Sequence, residues 1–122
     1  MAQQFFADLA ALGVRPAKVY PKASDHIPEM VEIIEGLIAK GHAYETGGNV
    51  YFDVSTFPEY GKLSGNRVDE LAAGARIAVR EDKRNPEDFA LWKSDPAHIR
   101  KLSTRFGPHG FPGWHIECSA MS

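Results

Sequence analysis

The chain carries a single cysteine, Cys118, so no internal disulfide can form and the framework of a small disulfide-stapled secreted domain is excluded. It has no apolar leader and no apolar run long enough to cross a bilayer. Together with the lone thiol, this sets the expectation of a reducing, cytoplasmic compartment and no membrane partner. Charge of one sign is also scarce. Fourteen Lys and Arg against 16 Asp and Glu leave a formal net charge of −2, which excludes a generally basic nucleic-acid-binding surface and leaves room for a local one. There is no Gly-rich phosphate loop, no Gly-x-Ser-x-Gly elbow and no zinc-type cysteine pair. Repeats, heptads, low-complexity segments and a recognisable internal linker are missing as well.

What is present suits one folded unit, since 43% hydrophobic residues in 122 can bury a core without staples. Phe5, Phe6, Leu9 and Leu12 at helical spacing, closed by Gly13, predict a short amphipathic helix at about residues 2–12 with a packing role. Arg15 to Tyr20 reads as a short strand ending at Pro21. The strongest helix is expected at about 26–40. Ser24 or Asp25 would cap it, Pro28 is tolerated in its first turn, and Met30, Val31, Ile34, Leu37 and Ile38 form one stripe before Gly41. Ile34 and Leu37 are the expected core positions. Glu29, Glu32, Glu35 and Lys40 then line a solvated face.

Gly47-Gly48 between two strand-like runs predicts a hairpin at about 43–54 with Tyr44, Val50 and Phe52 on one face. Residues 55–66 read as an irregular loop, Val68 to Ala73 as one or two helical turns, and about 76–80 and 89–93 as strands. Ser94 to Gly113, rich in Pro, Gly and His, reads as a long loop. The break at Pro112-Gly113 feeds a new helix or strand that ends uncapped at Ser122. That leads to the expectation that the chain is a piece of a larger protein, with apolar surface left bare where neighbours are missing. The fold class is α+β, a small mixed or antiparallel sheet with packed helices.

By residue type alone the chemistry is sparse. His115 and Cys118 fall on one face of a helix and can supply two metal ligands, which do not make a site. Arg80, Lys83 and Arg84 in one loop, and Arg100, Lys101 and Arg105 in another, can meet phosphates or stand as solvated loop charges.

Beyond residue type, five segments carry a resemblance. Gly113-Trp-His-Ile-Glu-Cys-Ser-Ala-Met121, preceded by Asp88-Phe-Ala-Leu-Trp-Lys93, Tyr60-Gly-Lys-Leu-Ser64, Asn49-Val-Tyr-Phe-Asp53 and Ser24-Asp-His-Ile27, resembles the bacterial-type cysteinyl-tRNA synthetase family in order and spacing. The resemblance covers nearly the whole chain. It implies a class I Rossmann-type catalytic domain with its connective insertion: residues 1–24 would end the first nucleotide-binding half, 25–110 form the insertion, and 111–122 start the second half. It also implies an enzyme that makes cysteinyl-adenylate from cysteine and ATP, with Mg2+ accompanying the ATP, and then charges tRNA-Cys. The intact parent would be a monomer.

A zinc ion selects the substrate thiol in that family. Cys118 corresponds to one zinc ligand and Trp114 to the aromatic wall of the amino-acid pocket; His115 and Glu117 take no assigned role. The resemblance further implies that the other zinc ligands, the ATP-positioning signatures and the anticodon-reading domain are outside these residues, so the isolated piece should be inactive. Ser103-Thr-Arg-Phe-Gly-Pro-His-Gly110 departs from the Trp-containing loop of the family. A cysteine ligase of the mycothiol pathway, with a similar Trp-His-x-Glu-Cys segment, and a non-catalytic tRNA acceptor-binding module touching RNA through Arg80, Lys83 and Arg84 are the alternatives; residues Asn49 to Leu63 favour the synthetase.

Overall fold

The computed structural model describes residues 2–65 and 82–122. The helical turns expected at Val68 to Ala73 and the strand expected at 76–80 lie outside the described residues. Those described form three helices and one sheet: α1 (Ala2–Ala11), α2 (Ile27–Ala39), β1 (Ala43–Thr46), β2 (Asn49–Phe52), β3 (Phe89–Ser94), β4 (Leu102–Thr104), β5 (Gly107–Pro112) and α3 (Trp114–Met121). The sheet is antiparallel at every pairing, in the order β1-β2-β3-β5-β4.

Helix α2 is the element the apolar stripe predicts, with Pro28 in its first turn. Its start differs from the expected cap. Ser24 and Asp25 belong to a preceding 3-10 turn, Ala23–Asp25, and His26 occupies the cap position without a side-chain cap bond. At the other end Gly41 takes φ +79°, which lets its N–H reach the Ile38 carbonyl and the His42 N–H reach the Leu37 carbonyl. That pair of bonds satisfies carbonyls the helix would otherwise leave open, and a residue with a Cβ adopts the backbone only under strain.

The β1–β2 turn uses Gly47 at φ +54° and Gly48 at φ +81°, as a two-residue hairpin requires. Its register corrects one expectation: Tyr44 pairs with Tyr51, and Ala43 with Phe52, so Tyr44 faces away from Val50 and Phe52. Val50 and Phe52 look toward α2 with Met30, Ile34, Leu91, Trp92, Phe106 and Ile116, which make up the core. Ile34 is fully buried, whereas Leu37 is only half-buried at its margin.

Two further expectations change. Arg15 to Tyr20 is irregular, not a strand, because no described strand lies beside it to share a ladder; Val19 is 68% exposed. The supposed loop 94–113 folds into the β4–β5 hairpin, and β5 sits inside the sheet between β3 and β4. Gly110 is what allows this: a Cβ there would lie 2.1 Å from Trp92 Nε1, so the indole packs directly on the strand backbone. The Trp92 N–H is left without a hydrogen-bond partner among the described residues.

Candidate functional site

Helix α3 carries both residues expected to act, and its start is fixed by contact with β3. The Gly113 N–H donates to the Leu91 carbonyl at 2.8 Å, and a Cβ on Gly113 would lie 2.0 Å from the Ala90 carbonyl oxygen. Only glycine permits that approach. Ile116 is buried in the core and Ala120 packs against it, so the opposite side of the helix faces outward.

On that outward side Trp114 is 82% exposed, and His115 and Cys118 are exposed too. The three line an open pocket of about 310 Å³. Trp114 and Cys118, one helical turn apart, thus face a shared space, and His115 and Cys118 share the face that their spacing predicts. The His115 ring rests on Phe89 at 4.7 Å between ring centres, and Phe89 is in turn stacked on Phe52 at 5.1 Å and on Tyr60 at 5.9 Å.

Cys118 is a free thiol on the helix surface. A soft thiolate in an open pocket suits a zinc ligand. Among the described residues no group of three or more His, Cys, Asp or Glu side chains is placed to hold a metal ion. His98 is engaged elsewhere: it stacks flat on Phe111 at 3.8 Å, and its Nδ1 lies 2.7 Å from the Arg100 carbonyl.

The basic residues divide. Arg80 lies outside the described residues. Lys83 and Arg84 sit over neighbouring rings on the face of the hairpin opposite α2, Lys83 Nζ at 5.9 Å from the Tyr51 ring centre and the Arg84 guanidinium at 4.2 Å from that of Tyr44. Arg84 also faces Asp53 at 3.8 Å. Arg105 is engaged with Glu35 at 3.2 Å and Glu45 at 2.7 Å, tying the second hairpin to α2 and β1.

Sequence reasoning missed the polar lock beneath these cations. Asp88 is 1% exposed, and its carboxylate accepts from the Tyr44 hydroxyl at 2.7 Å and from the backbone N–H groups of Val54 at 3.0 Å and Asn85 at 3.1 Å. The Tyr44 oxygen accepts in turn from the Arg84 N–H at 2.8 Å. Burial first, and the bond to Asp88 second, push the Tyr44 hydroxyl up to about 12. The signal was a buried-type tyrosine and an aspartate 44 residues apart, which no local pattern connects.

No helix among the described residues is long and apolar enough to cross a membrane. Residues 1–122 match the family of tRNA synthetases class I (C) catalytic domain. The chain is 57% identical over 119 residues to a cysteine–tRNA ligase of Thermus thermophilus, covering 97% of this chain and 25% of the relative. It is 55% identical to one of Deinococcus radiodurans, at 97% and 24% coverage, and 53% identical to one of Methanococcus maripaludis, at 97% and 25%. It spans about a quarter of the length of these curated relatives. With the Gly113-to-Met121 segment placed on an exposed helix beside an open pocket, the chain belongs to the class I (C) tRNA synthetase catalytic-domain family.

Proposed function

We propose that these residues form part of a cytoplasmic cysteine–tRNA ligase, which joins cysteine to ATP as cysteinyl-adenylate, with Mg2+ accompanying the ATP, and passes the cysteinyl group to tRNA-Cys. The names of the relatives favour transfer to tRNA over transfer to an amino sugar. In this reading residues 1–24 end the first half of a Rossmann-type nucleotide-binding domain, 25–110 are its connective insertion and 111–122 open the second half. The observation that carries it is that α3 turns Trp114 and Cys118 into one open pocket. Trp114 walls the amino-acid side chain, and Cys118 is one of the residues that would hold zinc. Bound there, zinc supplies direct recognition of the substrate thiolate, a soft bond that a serine hydroxyl cannot match, so discrimination of about 10⁴ needs no editing step.

The test uses a full-length ligase carrying these residues. Cys118→Ser is expected to abolish cysteine-dependent ATP–pyrophosphate exchange and to lower bound zinc with the fold intact by circular dichroism; unchanged exchange and zinc content would overturn the reading. Lys83, Arg84 and Arg80 are proposed to face the tRNA backbone. Replacing Lys83 by Ala should flatten the dependence of log affinity on log salt by about one unit, and an unchanged slope removes it from the interface.

A further inference from the structure

On the face of the first hairpin opposite α2, one tyrosine holds Arg84 at both ends. The Tyr44 oxygen accepts from the Arg84 backbone N–H at 2.8 Å, and the Tyr44 ring lies under the guanidinium of the same residue at 4.2 Å. The hydroxyl has a single proton, which is committed to Asp88 at 2.7 Å, so a lone pair is what the oxygen turns to Arg84. Asp88 in turn is 1% exposed and fixed by the N–H groups of Val54 and Asn85. A buried carboxylate sets a hydroxyl, and the hydroxyl sets an arginine.

What this support leaves free is the edge of the guanidinium. Stacking uses its face, whereas its N–H donors lie in its plane. Asp53, the carboxylate it faces, stands 3.8 Å away, beyond hydrogen-bond reach, and accepts from the Ser55 N–H at 3.1 Å through its other oxygen. The Arg84 side chain is 64% exposed. Arg105 is the contrast, since its guanidinium is engaged by Glu35 and Glu45. Anchoring the loop calls for the backbone bond alone; here the same side chain also orients the head group. An arginine ordered in advance loses little freedom on meeting a phosphate, whose two oxygens match its fork. Resting on the reading that this loop faces tRNA, we infer that Arg84 grips one phosphate of the tRNA backbone through its guanidinium edge and that Tyr44, itself set by Asp88, is the positioning residue that presents it.

The experiment uses the same full-length ligase and a tRNA-Cys transcript, with affinity measured over a salt series and each variant checked for folding by circular dichroism. Arg84→Ala is expected to weaken binding by about tenfold or more, the size of losing a charged hydrogen bond, and to flatten the salt dependence by about one unit. Arg84→Lys keeps the charge and loses the fork, so it should restore the slope and not the affinity. Tyr44→Phe keeps the ring under Arg84 and removes only the oxygen; it should weaken binding by about three- to tenfold. The decisive arm is the double variant. If Tyr44 acts through Arg84, Tyr44→Phe costs nothing further once Arg84 is Ala, a coupling that loss of stability alone does not produce. The inference is overturned if Tyr44→Phe binds within about twofold of the unsubstituted ligase, if its loss persists in the Arg84→Ala background, or if Arg84→Lys binds as well as Arg. In those cases a weakened Arg84→Ala leaves the RNA-facing reading of the loop standing. If neither Arg84→Ala nor Lys83→Ala changes affinity or slope, that reading fails and the inference goes with it.

Discussion

Asp88 and Tyr44 are each buried, and each is satisfied by the other: the hydroxyl proton points at the carboxylate, and the carboxylate's remaining bonds come from backbone N–H groups and Asn85. Tyr44→Phe removes one donor from a buried anion and strands the Arg84 N–H, so the expected cost is about 1–3 kcal/mol in urea unfolding. The pH dependence has a definite sign. The folded state holds the Tyr44 proton up to about 12 while the unfolded chain releases it near 10.0, so this contribution is complete below pH 10 and is lost as pH rises through about 12. Stability measured across that range should fall more steeply in the unsubstituted protein than in Tyr44→Phe. Equal slopes would mean that the proton is not held.

Among the elements, α2 offers the sharpest internal comparison, since Ile34 is enclosed and Leu37 stands at the margin. Ile34→Ala should cost about 2–5 kcal/mol, and Leu37→Ala distinctly less because solvent already reaches it. Urea melts giving the two equal costs would place Leu37 in the core after all. This helix, the Gly47-Gly48 hairpin and the strand at Phe89 were legible because each is written in local periodicity or turn chemistry. The β4–β5 hairpin was not, because Pro108, Gly110 and Pro112 read as breakers, and their place in the sheet depends on Trp92 packing against Gly110. Arg15 to Tyr20 shows the opposite failure: local preference for an extended chain does not supply a neighbour to pair with. At the candidate site, Trp114 and Cys118 are proposed through a motif, whereas Phe89 under His115 is a contact that spacing alone does not reveal.

For the whole molecule, the outstanding feature is the aromatic surface at the amino-terminal end. Phe5, Phe6 and Tyr20 touch edge to face, at 5.5 and 4.8 Å between ring centres, and all three are exposed. With Leu12, Val14 and Val19 also open to solvent, the isolated chain should bind a hydrophobic dye and self-associate as concentration rises in light scattering. Phe6→Ser should weaken both effects, and a monomeric, dye-silent chain at every concentration would show that this surface closes on itself. The carboxyl-terminal end is built in the opposite manner. Three consecutive residues of one strand region grip separate parts: Asp88 grips the 82–88 loop and the first hairpin, Phe89 grips the His115 ring, and Ala90 stands against Gly113. In mechanical terms they form a clamp whose three jaws sit on adjacent residues of one strand. A displacement of the outer loop is therefore expected to reach the mouth of the pocket through adjacent residues of a single strand.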